Sequence, residues 1–208
     1  MGITNLYKNV KEKAKQHNIV LLISLIYNFV WAICKILFGV FNQLYFFSIS
    51  GASTLLFGFI KRVYLKNYKN DDVDERIGKS ITMSILLMVS SALFAFYMAR
   101  LFFISETKQY GIIMSIAIAT FSFVELVLSI FNYVKVKESN DILLISFKEC
   151  SMVSSCYAIT LTQVALLSAT QTPANFYNAL TGTILGVLSI CIGLHIFISA
   201  LKYQKSNK

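Results

Sequence analysis

The chain has 208 residues, 56% of them hydrophobic and 14% charged, with a single proline and a formal net charge of +9; its mean hydropathy is +0.65. A soluble domain carries roughly 25% charged residues, so a water-soluble globule is excluded. The charge lies between long apolar windows, a placement that argues against a nucleic-acid partner.

Residues 1–18 form a basic segment expected on the cytoplasmic side. No short apolar core with a small-residue cleavage site follows it, so a cleavable signal is not expected. Leu6 stands where myristoylation of a Met1-Gly2 start needs Ser or Thr. Six windows then reach the roughly 20 apolar residues that a membrane helix needs: 19–41, 44–64, 80–104, 110–134, 142–169 and 176–201. The tail, 202–208, is again basic. Twenty-residue apolar windows exclude the alternation of barrel strands, and backbone satisfied within each segment makes every span a helix.

Orientation follows from the lysines and arginines. Segments 1–18, 65–79, 135–141 and 202–208, with Lys61 and Arg62 at the inner end of the second span, hold fifteen of them. The connections 42–43, 105–109 and 170–175 hold one, Lys108, and Lys35, Arg100 and Lys148 fall within spans. Both termini are therefore expected in the cytoplasm. The expected architecture is an all-α polytopic membrane protein with one transmembrane domain over 19–201.

The halves 19–104 and 110–201 each hold three spans, which suggests a 3+3 internal repeat. "LYFFSISGASTLLF" from Leu44 and "DILLISFKECSMVS" from Asp141 align with Ser53 opposite Cys150 and Phe57 opposite Ser154. Tyr45, Tyr110 and Tyr177 mark the outer boundary, and Tyr7, Tyr64, Tyr68, Tyr133 and Tyr203 the inner one.

Asn28-x6-Lys35-x3-Gly39, followed closely by the second span, resembles the first hairpin of the cation diffusion facilitator family. That resemblance implies six spans, cytoplasmic termini and a dimer. The family's zinc site uses His/Asp pairs on its second and fifth helices, and those offsets fall here on Ser53, Phe57, Cys150 and Ser154. Zinc takes four thiolate, imidazole or carboxylate ligands; of the four positions Cys150 alone qualifies. The family's cytoplasmic metal-binding domain has no counterpart among these residues. The resemblance thus implies a shared transmembrane fold with the zinc chemistry lost at that place, and no metal or cofactor is expected.

Ionisable residues at bilayer depth cost ~3 kcal/mol or more and mark candidate sites. Lys35 and Arg100 lie six and four residues from the outer ends of their spans, close enough to snorkel, and are expected to be structural anchors. Glu125, Lys148, Glu149, Cys150 and His195 fall in one inner slab of the fourth, fifth and sixth spans. They form either an intramembrane proton- or cation-handling site, or a Glu125–Lys148 pair that locks the bundle while His195 bonds elsewhere. Ser146, Cys150 and Ser154 add a polar stripe on span five, with Ser151 and Ser155 beside it. Gly182, Gly186 and Gly193 give span six a smooth packing face, and Gly51, Ala52 and Gly58 do so for span two. Such faces meet either within one chain or across a dimer.

The four cysteines, Cys34, Cys150, Cys156 and Cys191, sit in apolar runs and read as small buried hydrophobes. Two histidines, no phosphate loop and no elbow serine leave no enzyme signature. The sequence therefore predicts a small transporter-like protein moving a cation or small solute, or else a non-transporting scaffold or regulator of another membrane complex. Expected partners are the lipid bilayer, a second copy or another membrane protein. The expected location is a cell membrane, with the Lys-, Ile- and Asn-rich usage pointing to a bacterial inner or plasma membrane.

Overall fold

A computed structural model describes residues 3–103, 112–134, 141–169 and 175–206. Lys108, Tyr110 and the connections around 105–109, 135–140 and 170–174 lie outside the described residues, as do the side chains of Tyr7, His17 and Tyr133. Six helices account for all regular structure among the described residues: α1 Ile3–Phe41, α2 Tyr45–Asn67, α3 Val73–Arg100, α4 Ile112–Val134, α5 Ile142–Ala169 and α6 Asn175–Ser206. Four stretches are long and apolar enough to cross a membrane: Leu21–Phe41, Val73–Arg100, Ile142–Leu167 and Phe176–Ser206. They are the helices of a membrane-embedded protein.

Several helices outrun their apolar windows. α1 begins sixteen residues before position 19, and α3 begins at Val73 rather than 80. Hydropathy marks the apolar window, whereas Lys, Glu and Gln are good helix formers that carry the coil beyond it. Asp72 then sets the start of α3: its carboxylate accepts from the backbone N–H of Asp74 at 3.0 Å and of Glu75 at 3.4 Å. Asp74 and Glu75 place further negative charge on the helix's positive end. Asp141 likewise accepts from Leu143 N–H at the start of α5, at 3.1 Å, and it also takes an ion pair from Arg76 of α3.

α1 and α2 form a hairpin. Gln43 adopts a left-handed φ of 57°, and Leu44 N–H reaches back to the Gly39 carbonyl at 2.8 Å, the hydrogen bond of a Schellman helix end. The two helices then run antiparallel at close range. A Cβ added at Gly51 would sit 2.7 Å from Ile36 Cγ1 and 3.0 Å from the Ala32 carbonyl oxygen.

α5 packs against α2, α3, α4 and α6, and α2 and α3 pack against each other. These three make the centre. The apolar windows of α3 and α5 are 50% and 56% buried, against 28% for α1 and α6. Stacked rings fill the middle: Phe94 on Tyr157 at 4.2 Å and Tyr64 on Phe147 at 4.1 Å. α2 is the helix least suited to lipid, because Ser50, Ser53, Thr54 and Lys61 dilute its hydropathy. All four are buried inside the protein, so the helix meets protein on the faces that carry them.

The surface has the opposite character. Leu22, Ile23, Ile26, Val30, Ile33, Leu37 and Val40 cover the outer face of α1. In water such a stripe is an aggregation liability; in lipid it is ordinary.

The glycine face of α6 meets α3 of the same chain. Added Cβ atoms at Gly186 and Gly193 would lie 2.7 Å from Ala95 Cβ and 2.7 Å from Met88 Cγ. At Gly186 the next atom is the Ala95 backbone Cα at 2.9 Å, which cannot swing away. Gly186→Ala is therefore expected to destabilise the protein by about 1–3 kcal/mol through overpacking. Gly78→Ala, with nothing within 4 Å of the new methyl, should be neutral or add about 0.5–1 kcal/mol of stability. Thermal unfolding of both variants in one detergent checks the contrast.

Candidate functional site

The inward face of α1 is a stripe at helical spacing: Leu21, Ser24, Asn28, Ala32, Lys35 and Gly39, all buried. The small residues let α2 approach, and the polar ones face a junction of α1, α2 and α4. Lys35 is 2% exposed. Its Nζ donates to Thr54 Oγ1 at 3.0 Å and to Glu125 Oε2 at 3.1 Å. Glu125 is 4% exposed. The ammonium also lies 5.5 Å from the Trp31 ring centroid, a cation–π arrangement.

Around this pair α1 and α4 meet through long side chains rather than through close backbone packing. Trp31 lies against Phe121 with ring centroids 4.4 Å apart, and the Tyr27 hydroxyl donates to the Phe121 carbonyl at 3.0 Å. The looseness of the joint leaves a recess of about 400 Å³ lined by Trp31, Lys35, Phe38, Phe47, Ile118 and Phe121.

The other end of the same face holds a second buried cation. Lys61 of α2 is 3% exposed and its Nζ donates to Ser24 Oγ at 2.8 Å. Between the two lysines sits Asn28, 1% exposed, with neither amide atom hydrogen-bonded among the described residues. The Trp31 Nε1–H and the Ser53 and Ser122 hydroxyls are buried and unpaired in the same sense. Buried polar groups without partners are rare in folded proteins; Asn28 and Trp31 bring two of them to the α1 side of this junction, and others, such as Ser90, Ser151 and Asn178, lie elsewhere in the bundle.

The structure corrects two expectations. Lys35 does not snorkel to the outer interface as an anchor; it turns inward to Glu125. Glu125 in turn does not pair with Lys148, which is half-buried on α5. Both expectations came from depth along single helices, and the 90 residues separating Lys35 from Glu125 hid the better partner. Arg100, by contrast, is exposed at the last turn of α3, 5.8 Å from the Tyr45 ring.

The inner slab of five groups divides. Glu149 and His195 come together, Oε2 to Nδ1 at 3.3 Å, at a lateral groove of about 580 Å³ between α5 and α6 that also involves Met152, Cys156, Cys191 and Ile192. Cys150 packs into the apolar core. Of the polar stripe on α5, Ser146 bonds to Ser80 of α3 and to its own Ile142 carbonyl, and Ser155 to that of Ser151. The Ser80–Ser146 contact ties α3 to α5, and the other two bonds stay within α5.

The positions aligned with the family's zinc ligands do not converge. Phe57 stands beside Tyr157 at 5.4 Å, which with Tyr64 on Phe147 fixes the antiparallel register of α2 on α5. Ser53 precedes Phe57 by four residues and Cys150 precedes Tyr157 by seven; on antiparallel helices they fall on opposite sides of that contact, about 16 Å apart along the helices. Ser154 is buried on α5. Among the described residues no three His, Cys, Asp or Glu side chains gather as a metal site would require.

Sequence reasoning passed over Lys61, Thr54 and Ser24. Lys61 was counted with the cytoplasmic cations because Arg62 follows it. The spacing of Ser24, Asn28 and Lys35 along one otherwise apolar helix was the available signal. No protein-family model, curated protein or solved structure matches the chain.

A buried ion pair costs most when one partner is removed, because the other is left charged and alone. Lys35→Met and Glu125→Gln are each expected to cost about 3 kcal/mol or more. The double variant should cost less than the sum of the two, and unfolding of all three in one detergent tests the coupling.

Proposed function

We propose that this chain is a small multi-pass protein of six spans, with both termini cytoplasmic, that carries a small solute across a membrane as transporters do. The observation that carries this reading is the buried seam at α1, α2 and α4. Lys35, Thr54, Glu125, Asn28, Ser24 and Lys61 occupy the interior of a protein whose outside is aliphatic. Ionisable groups at such depth are costly and default to function. Locking the bundle would need only Lys35 and Glu125; Lys61 and the unpaired Asn28 exceed that need.

The distribution of lysine and arginine supports the orientation, and helix pairing supports a 3+3 repeat. α1 packs on α2 as α4 packs on α5, and α3 meets α6. The likeness of Asn28, Lys35 and Gly39 to the first hairpin of the cation diffusion facilitators favours the same architecture. Zinc forms no part of the proposal, since Ser53, Phe57, Cys150 and Ser154 offer no ligand set. A scaffold function would draw instead on the α5/α6 groove, where Glu149 and His195 sit at the periphery. The glycine face of α6 is unavailable to a partner because α3 occupies it.

Reporter fusions at the two chain ends should both report the cytoplasmic side. In proteoliposomes carrying pH-, metal- and anion-sensitive dyes, the wild-type chain should give flux above empty vesicles. Glu125→Gln should lower that flux at least tenfold and Gly78→Ala should leave it unchanged. Flux indistinguishable from empty vesicles under every gradient would overturn the transport reading.

A further inference from the structure

Lys35, Lys61 and Glu125 are the charged side chains buried among the described residues. Two ammoniums against one carboxylate leave a positive charge unbalanced inside a membrane-embedded bundle. Glu125 is committed to Lys35 at 3.1 Å. Lys61 makes direct contact only with the neutral Ser24 hydroxyl, with no carboxylate within ion-pair distance among the described residues; Glu125 attracts it only from longer range. A buried cation without a counter-charge in contact is among the most expensive arrangements in a low-dielectric interior.

The neutral groups supply donors for an anion, and Asn28 leaves its Oδ1 acceptor unused beside them. Asn28 is one helical turn from Ser24, which holds Lys61, and two turns from Lys35 on the same face of α1. Its amide N–H donors are unused, and the buried Trp31 Nε1–H is unused as well. A cation would need a carboxylate free of Lys35. A neutral solute would leave the excess charge in place. A single monovalent anion cancels it and accepts the idle donors.

We propose that the seam between α1, α2 and α4 binds a small monovalent anion, with Lys61 as its counter-charge and the Asn28 amide as a hydrogen-bond donor. The proposal rests on the transport reading for its purpose and on the charge count for its chemistry. One negative charge brings the seam to neutrality, whereas a divalent anion overshoots. Chloride, nitrate and formate fit the class; sulfate does not.

The test pairs flux with binding. Wild-type proteoliposomes containing an anion-sensitive dye should pass chloride, nitrate or formate at least tenfold faster than sulfate. Lys61→Gln should abolish the difference, and Lys61→Arg, which keeps the charge, should retain a measurable part of it. Asn28→Asp changes shape little but supplies the missing negative charge internally; it should abolish anion flux while leaving the protein folded. Separately, sodium chloride should raise the melting temperature of detergent-solubilised wild-type protein above that in sodium gluconate of equal ionic strength, and Asn28→Asp should remove the rise. Flux of metal ions or protons without anions would overturn the proposal and leave transport standing. No flux of any kind, with the chloride-specific rise present, would overturn transport and uphold the anion site. No flux and no rise would overturn both.

Discussion

An ammonium buried in a low-dielectric interior must find an acceptor, and in this protein that need organises one side of the bundle. Lys35 can be placed two turns from the end of α1 because Glu125 and Thr54 await it on two other helices. The pair ties α1 to α4 across 90 residues of sequence, where little backbone contact does so. The small residues of the α1 stripe follow from the same requirement, since α2 must come close enough for Thr54 and Lys61 to reach their partners.

The rest of the molecule is arranged to keep that seam inside. Aliphatic side chains coat the outer face of α1, while serines, threonines and the three charged groups are turned inward. Serines on α3 and α5 bond to each other or to carbonyls one turn back, so most of the interior hydroxyls are spent on packing. Ser90, Ser151 and the seam's Asn28 and Trp31 are buried exceptions without a partner; what sets the seam apart is that it also holds the buried charges. Glycine plays the complementary role at α6, removing side chains so that α3 can lie directly against it.

The six helices, and the apolar windows of the four long enough to cross a membrane, were legible because hydropathy over twenty residues is a local property. The turn at Asn42-Gln43 and the packing role of Gly182, Gly186 and Gly193 were legible for the same reason. Pairing was not. The positions of Lys35 and Lys148 along their own helices suggested an anchor and a partner for Glu125, and the fold gave the partnership to Lys35 instead. The equivalence of Ser53 and Cys150 in the aligned segments also failed as geometry, because register between α2 and α5 is set by Phe57, Tyr64, Phe147 and Tyr157. Sequence similarity between two segments carries no information about their relative height.

The glycine seam has a corollary. From Gly182 to Gly193, about three turns, α6 lies on α3 with no side chain of its own between the two backbones at each glycine. α1 and α4, bridged by Tyr27, Trp31 and Lys35, keep separate axes. The α3/α6 flank is thus joined by backbone and the α1/α4 flank by side chains alone, and the side-chain-bridged flank is the one that houses the charges.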